Sequence, residues 1–454
     1  MTALNPYDEL PYRSQPIEWT SPERLALVSL LHGGPRPPLD RYRVLELGCG
    51  NGANLLPLAY YRRHGSFVGV DGALDAIATA NARARELRLR NLEFIAADLV
   101  DAAEVVSGDF DFVIAHGIFS WVPPAAREAL LALAAARLRP GGLVYLDHNT
   151  RPGWNVRGMV RDYLMAQTSG TVGLRRRAEL AQQVAASLAA SLEGAPPHAY
   201  TELMINEFRF VGEGDVSYVA HEYLSPHNDA FWQSEMDEMT GRHGLVHVAE
   251  ADFNYESGRI GDGLAAQVAA AKLQGRSVED TVDLLSFRQH RTAILTHKTW
   301  TTRPASDDEL AGLRIASALT PLPRETTPQA DPGPAQFRHA AGSVVDVKDP
   351  AIAAAFERLQ PLWPRSLKIG DLFPDVAAVT DDLLLLFRHG MIDLRLVEAS
   401  DFAPSPRALH KHERPWGYLT TPHHDLIPPS PVGAAAPKGT DAAPAPGATF
   451  PQSR

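Results

Sequence analysis

Two carboxylates and three closely spaced glycines stand out in the N-terminal third of the chain: Glu46-Leu47-Gly48-Cys49-Gly50-Asn51-Gly52, followed by Asp71 at the end of Phe67-Val68-Gly69-Val70. Glycines at 48, 50 and 52 let a backbone turn tightly and approach a ligand with no Cβ in the way, and a helix that follows offers free N–H groups. Such a loop cradles a nucleotide or nucleoside. Gly48-x-Gly50-x-x-Ala53 also satisfies the loose dinucleotide fingerprint, with an acid at a suitable distance for a ribose. Glu46 separates the two ligands. Its carboxylate falls where a pyrophosphate would lie, and like charges repel. S-adenosylmethionine has no phosphate, and its ammonium and sulfonium are positive. On this reading Glu46, Gly48, Cys49, Gly50 and Gly52 surround the cofactor's methionine end, Asp71 accepts from the ribose hydroxyls, and Asp98 meets the adenine amino group.

The elements that must position these groups follow from the apolar pattern. Val44–Leu47 and Phe67–Asp71 read as strands, as do Asn91–Asp98, Phe110–His116 and Leu143–Asp147, the last after the Arg139-Pro140-Gly141-Gly142 turn. Leu74–Leu87 and Ala125–Leu138 have helical spacing between them. Alternation of this kind predicts an α/β fold with a Rossmann-like, doubly wound parallel sheet, which places ligands at the strand C-termini. Residues just after the fourth and fifth strands then face the transferable methyl, and the candidates there are His116, Phe119, Trp121, His148, Asn149 and Trp154. Tyr7 and Tyr12, from a lid-like N-terminal segment, are placed to close over the cofactor.

The bulk properties narrow the function further. A chain of 454 residues predicts two to three domains. Its net charge of −11 speaks against broad, phosphate-driven nucleic-acid binding. Cys49 is the only cysteine, so neither a disulfide nor a cysteine metal cluster is expected. The seventeen histidines are scattered, and no metal site is predicted. The N-terminus lacks a basic start and an apolar core segment, and no run is long enough to span a bilayer, so a cytoplasmic protein is expected.

Four regions are expected: a cofactor-binding core over 1–155, a helical region over 156–300 that can complete the sheet, a C-terminal module over 301–425 and a Pro/Ala-rich disordered tail over 426–454. In the second region Leu180, Val184, Leu188 and Leu192 form a helical apolar stripe, Arg175-Arg176-Arg177 reads as a solvated face, and Arg291–Thr296 is a candidate last strand. Five prolines between Pro321 and Pro334 mark a linker or an extended crossing. The order beyond it, short helices at Phe356–Leu362, Ile369–Phe373 and Asp381–His389 and then a strand at Met391–Val397, outlines a winged-helix-like module. Eight Lys/Arg against nine Asp/Glu between Phe356 and Pro415 favour a protein contact over DNA.

Taken together the motifs resemble those of bacterial class I methyltransferases with a methyltransferase regulatory domain, a group that includes protein lysine methyltransferases. The resemblance spans about Tyr7 to Val397. It rests on Tyr7-Asp8-x-x-Pro11-Tyr12-x-Ser14, Thr20-x-Pro22-x-Arg24-Leu25, the glycine motif, His116-Gly117-x-x-Ser120-Trp121-Val122-Pro123, Asn149-Thr150-x-Pro152-Gly153-Trp154, His221-Glu222-Tyr223-Leu224 and Phe287-Arg288-x-x-Arg291. It implies methyl transfer from S-adenosylmethionine to a protein, with lysine as the leading acceptor. The alternatives are a small-molecule acceptor, a cofactor-binding regulator without catalysis and, last, an NAD-dependent oxidoreductase; a homodimer is left open. The chain departs from the family at Asp147-His148-Asn149, where a tyrosine usually precedes the asparagine, and at Gly72-Ala73-Leu74 in place of a hydroxyl-bearing loop. His148 is therefore expected to stand nearest the incoming nucleophile.

Overall fold

In a computed structural model the described residues are 6–12, 14–252, 267, 270–275, 277–323, 333–339 and 342–398. The tail expected over 426–454 and the end of the C-terminal module lie outside them.

Five strands rich in Val, Leu, Ile and Phe form the parallel part of one eight-stranded sheet: β1 (Arg43–Leu47), β2 (Ser66–Asp71), β3 (Leu92–Ala96), β4 (Phe110–Ala115) and β5 (Leu138–Thr150). Three later strands join it, β6 (Ala230–Phe231), β7 (Leu245–Glu250) and β8 (His290–His297). The order is β3-β2-β1-β4-β5-β8-β7, with the short β6 also paired to β5. β8 runs antiparallel to β5 and β7 antiparallel to β8. The chain reverses its direction of strand addition between β1 and β4, which opens a crevice at their C-terminal ends.

Side chains alternate across the strands with period two. Val44, Phe112, Ile114, Leu143 and Tyr145 face one core, shared with helices α1 (Leu55–Tyr61) and α2 (Leu74–Glu86). Leu45, Leu47, Val113, Ala115, Val144 and Leu146 face the other, shared with Leu130, Leu131 and Ala134 of the helix Pro124–Arg137. Both faces are covered, as a parallel sheet requires.

A third core joins the helices Gly153–Thr168, Leu174–Glu193, Ala199–Glu213 and Val216–Tyr223. Here the expected leucine stripe is displaced. Ala178, Ala181, Ala185 and Ala189 form the fully buried line, while Val184, Leu188 and Leu192 are only partly buried beside it. Small side chains let the neighbouring helix approach closely, and the leucines fill the flanks.

Beyond β8, strands Leu367–Lys368 and Asp393–Arg395 pair on either side of Arg314–Ala316, next to the helices Ile369–Leu372 and Ala377–Arg388. This region retains the helix–helix–strand order read from the sequence. It draws its middle strand from well upstream, however, and residues that could form a wing lie past Glu398, outside the described residues. Phe356, Phe373, Leu383 and Phe387 join the same core as β1 and α1, and Arg24 lies 5.0 Å from the Phe387 ring centroid.

Candidate active site

The glycine loop turns from β1 toward α1 with Gly48, Gly50 and Gly52 all at positive φ. They do different work. A Cβ on Gly48 would come within 2.3 Å of Ile118 and one on Gly52 within 2.4 Å of Phe94, so both allow close packing. At Gly50 the nearest atom would be Ser14 Oγ at 3.5 Å, which leaves this stretch of backbone open. The Gly48 and Cys49 N–H groups donate to the Val70 carbonyl. Gly50 N donates to Asp71 Oδ2 and Ala73 N to Asp71 Oδ1, each at 2.8 Å. Asp71 thus ties the loop to the next turn while keeping lone pairs for a ligand.

Glu46 is buried. Its Oε1 accepts from Asn54 Nδ2 at 2.8 Å, and Oε2 has no partner among the described residues. Burial pushes the carboxyl up to about 8. An orphaned buried carboxylate oxygen beneath a glycine loop fits a cationic ligand group and would repel a phosphate. Asp98 is exposed, its Oδ1 accepting from Val100 N. Cys49 reaches the cradle by its backbone only: the side chain is buried against Gly69 and Phe94, and burial drives the thiol well above its ordinary range.

On the far side of the crevice, His116, Trp121, Asn149 and Trp154 come together. Asp147 is the node. It accepts from Gly117 N at 2.6 Å and Tyr145 Oη at 3.1 Å, and His116 Nε2 and His290 Nε2 lie 3.4 and 3.8 Å away. Trp121 and Trp154 meet edge to face at 5.9 Å. Asn228 links the group, accepting from Trp154 Nε1 at 2.5 Å and from Asn149 Nδ2 at 3.5 Å, and donating to the Glu222 carbonyl at 2.6 Å.

His148 stands apart from this cluster, contrary to expectation. Strand alternation sends Asp147 and Asn149 to one face of β5 and His148 to the other, where its ring packs edge-on to Phe231 at 6.1 Å. Nδ1 lies 3.1 Å from the Asn149 carbonyl oxygen, and Nε2 is buried without a partner among the described residues. Burial lowers the imidazole to about 3, so it is neutral and cannot serve as a base for the cleft.

The N-terminal segment straps the two halves together. Ile17 N donates to Asn54 Oδ1 and Asp75 N to Asp8 Oδ1 on the cradle side. On the helical side Tyr7 stacks on His221 at 4.3 Å, His221 Nε2 lies 2.6 Å from the Leu10 carbonyl oxygen, and Tyr12 Oη donates to Glu222 at 3.4 Å. Sequence reasoning passed over Asp147, Asn228, His290 and Glu222. Of these, Glu222 carried a signal, its place in His221-Glu222-Tyr223-Leu224.

Comparison with known proteins bears on this arrangement. Residues 44–142 match the methyltransferase domain family, and residues 215–297 match the predicted methyltransferase regulatory domain. Both matches fall within the one chain, the second beginning beyond the fifth strand of the sheet. Its fold is similar to that of PKMT2 from Rickettsia typhi, solved in complex with AdoHcy, with a TM-score of 0.72 and 20% identity over 86% of this chain and 78% of that one. An uncharacterized protein of Rickettsia prowazekii is 31% identical over 294 residues, 64% of this chain and 53% of its own length. The chain therefore spans about half of that relative, though 88% of a second one from the same organism at 28% identity. Trans-aconitate 2-methyltransferase of Deinococcus radiodurans is 32% identical over 102 residues, 22% of this chain and 36% of its own length. The regulatory-domain match covers β6, β7 and β8 of the sheet as well as Glu222 and Asn228. Among the described residues no helix is long and apolar enough to cross a membrane, and no group of three or more His, Cys, Asp or Glu could hold a metal.

Proposed function

We propose that this chain transfers a methyl group from S-adenosylmethionine to a protein amine, with lysine as the acceptor. The observation that carries the reading is the pairing of a glycine cradle for a cation-bearing nucleoside with a second cleft that holds Asp147 and Glu222 beside two tryptophans. Carboxylates and aromatic faces suit an ammonium. They disfavour an acidic acceptor such as a tricarboxylate, which would meet two like charges.

S-adenosylmethionine supplies an electrophilic methyl on sulfur. Asp71 would hold its ribose hydroxyls, Glu46 its ammonium, and the Gly48–Gly52 backbone its methionine chain. Asp98 and Tyr12 border the site. The protein's part is then to align the acceptor and exclude water. The strap over the cradle and the Trp121–Trp154 pair serve those ends. His116, held toward Asp147, and Asn149, held through Asn228, shape the floor on which the acceptor rests.

Incubation with methyl-labelled S-adenosylmethionine and a fractionated lysate tests the reading. Label is expected in protein, and acid hydrolysis should return methylated lysine. Label found only in small molecules, or nowhere, would remove it.

Glu46 gives a second test. Below about pH 8 its carboxyl carries a proton in the free protein, and a bound cation requires the ionised form, so binding expels that proton. Affinity for S-adenosylmethionine should rise with pH by up to about tenfold per unit toward about pH 8 and decline above it, where the ligand's own α-amino group, with an ordinary pKa of about 7.7–8.0, loses its proton. Calorimetry at about pH 6.5 in two buffers of different ionisation enthalpy measures the release. Glu46→Gln should reduce it, and an equal release in the variant would clear Glu46 of the role.

A further inference from the structure

A lysine amine has an ordinary pKa of about 10.4 and must lose a proton before it can attack. The cleft holds several carboxylates, and most are already committed. Asp147 is engaged by the Gly117 N–H and the Tyr145 hydroxyl, with His116 and His290 beside it. Asp71 accepts from the glycine loop at Gly50 N with one oxygen and from Ala73 N in the next turn with the other. Glu46 lies buried beneath that loop against Asn54. Glu222 differs. Among the described residues its carboxylate takes one side-chain hydrogen bond, from Tyr12 at 3.4 Å, and it is only partly buried.

Its location is central. The field of Asp147 reaches Glu222, and those of Glu222 and Asp71 both reach the Tyr7 phenol. The strap that donates to it through Tyr12 is tied to the cradle by the Asp75 N–H on Asp8, so Glu222 lies where the strap joins the cradle to the helices. Asn228 fixes its backbone to Trp154, which lies edge-on to Trp121.

From this placement we propose that Glu222, a residue of the regulatory domain, is the base that takes the proton from the acceptor amine. This rests on the amine reading above. In the step, an N–H bond of the acceptor ammonium breaks and an O–H bond forms on Glu222. The freed nitrogen lone pair forms the N–C bond as the C–S bond breaks, its electron pair stays on sulfur as a thioether, and Glu222 returns its proton to solvent across its exposed edge. The groups that surround Glu222 suit it to this role, since Arg157, Tyr12 and Tyr218 face it with Asp147 and Tyr7. Burial outweighs the pull of Arg157 and brings its carboxyl up to about 7, so near neutral pH it can both accept and release a proton.

The test uses the full chain with peptides that each carry one lysine. In the parent, kcat/KM should rise as pH rises through about 7. Glu222→Gln should lower turnover about 100-fold near neutral pH, with partial recovery toward about pH 10 as solvent deprotonates the amine, and with S-adenosylmethionine affinity close to that of the parent. Tyr12→Phe, which removes a donor to the Glu222 anion, should move the rise to higher pH. Binding supplies a readout without turnover: N-acetyl-lysine amide, titrated by NMR at mildly alkaline pH in the presence of S-adenosylhomocysteine, should bind Glu222→Gln about tenfold more weakly than the parent. If the parent methylates and binds no amine, the amine reading falls, and this inference with it. If parent and Glu222→Gln methylate and bind the amine alike, with the same pH profile, Glu222 is not the base although the reading stands.

Discussion

Asp71→Ala is expected to weaken S-adenosylmethionine binding by roughly a hundredfold or more. The carboxylate would lose its bonds to the ribose hydroxyls, at about 1.5–3 kcal/mol for bonds to a charged group. The change also removes the acceptor of one donor in the loop, Gly50 N, and of one in the next turn, Ala73 N. The direct loss and the disordering of the cradle act in the same direction. Together about 3 kcal/mol is a modest expectation, and every ~1.4 kcal/mol is tenfold in affinity. Calorimetry on the folded variant measures it. Equal affinity in variant and parent would show that the ribose is held elsewhere.

The largest stability effect is expected at Arg291. Its guanidinium is fully buried between β8, β7 and the helix Val278–Ser286, 2.6 Å from Glu250, 2.9 Å from Asp283 and 2.8 Å from Glu279. Removing one partner of a buried ionic cluster leaves uncompensated charge and costs about 3–5 kcal/mol. Arg288, 3.6 Å from Asp283 and 3.9 Å from Glu250, offsets part of that. Arg291→Leu should therefore lower the free energy of unfolding by about 3 kcal/mol, measured by urea denaturation. The same cluster predicts acid sensitivity. Burial alone would raise Glu250, but Arg288 and Arg291 hold it well below its ordinary value. An acid depressed in the folded state contributes stability above its unfolded pKa of about 4.3 and loses it as pH falls below. Asp283 is pushed the other way by burial, so Glu250 carries this dependence. The parent should lose stability steeply below about pH 4.5 and Arg291→Leu less so. A variant as stable as the parent would mean that Arg288 alone satisfies the cluster.

The cradle was legible because its chemistry is contiguous: glycines at 48, 50 and 52 admit few backbones, and Glu46 and Asp71 lie within one strand–helix–strand unit. The sheet was legible for the same reason, since apolar runs and helical spacing are local. The second cleft, around Asp147, was not. Asp147 and His148 are neighbours, and nothing in their types says which one the strand alternation turns toward the ligand; that is settled by the register that pairs β5 with β8. Glu222 reaches the crevice because an N-terminal strap and a helical core of alanines hold its helix there. The alanine line was hidden in turn, since hydrophobicity points to Leu180 and Leu188 whereas close approach of two helices favours the smallest side chains.

Strand β5 carries a consequence for how this chain can be divided. It is zipped to β4 along one edge and over six residues, Val144 to Asn149, to β8 along the other. A chain cut after residue 155 would contain every glycine and acid of the cradle. It would also bare that second edge, a row of unpaired N–H and C=O groups flanked by Val144 and Leu146, which is a template for sheet-to-sheet aggregation. The cradle ends near one residue and foldability near another, so a chain that inherits the cradle alone should fail by aggregation before it fails by losing a ligand.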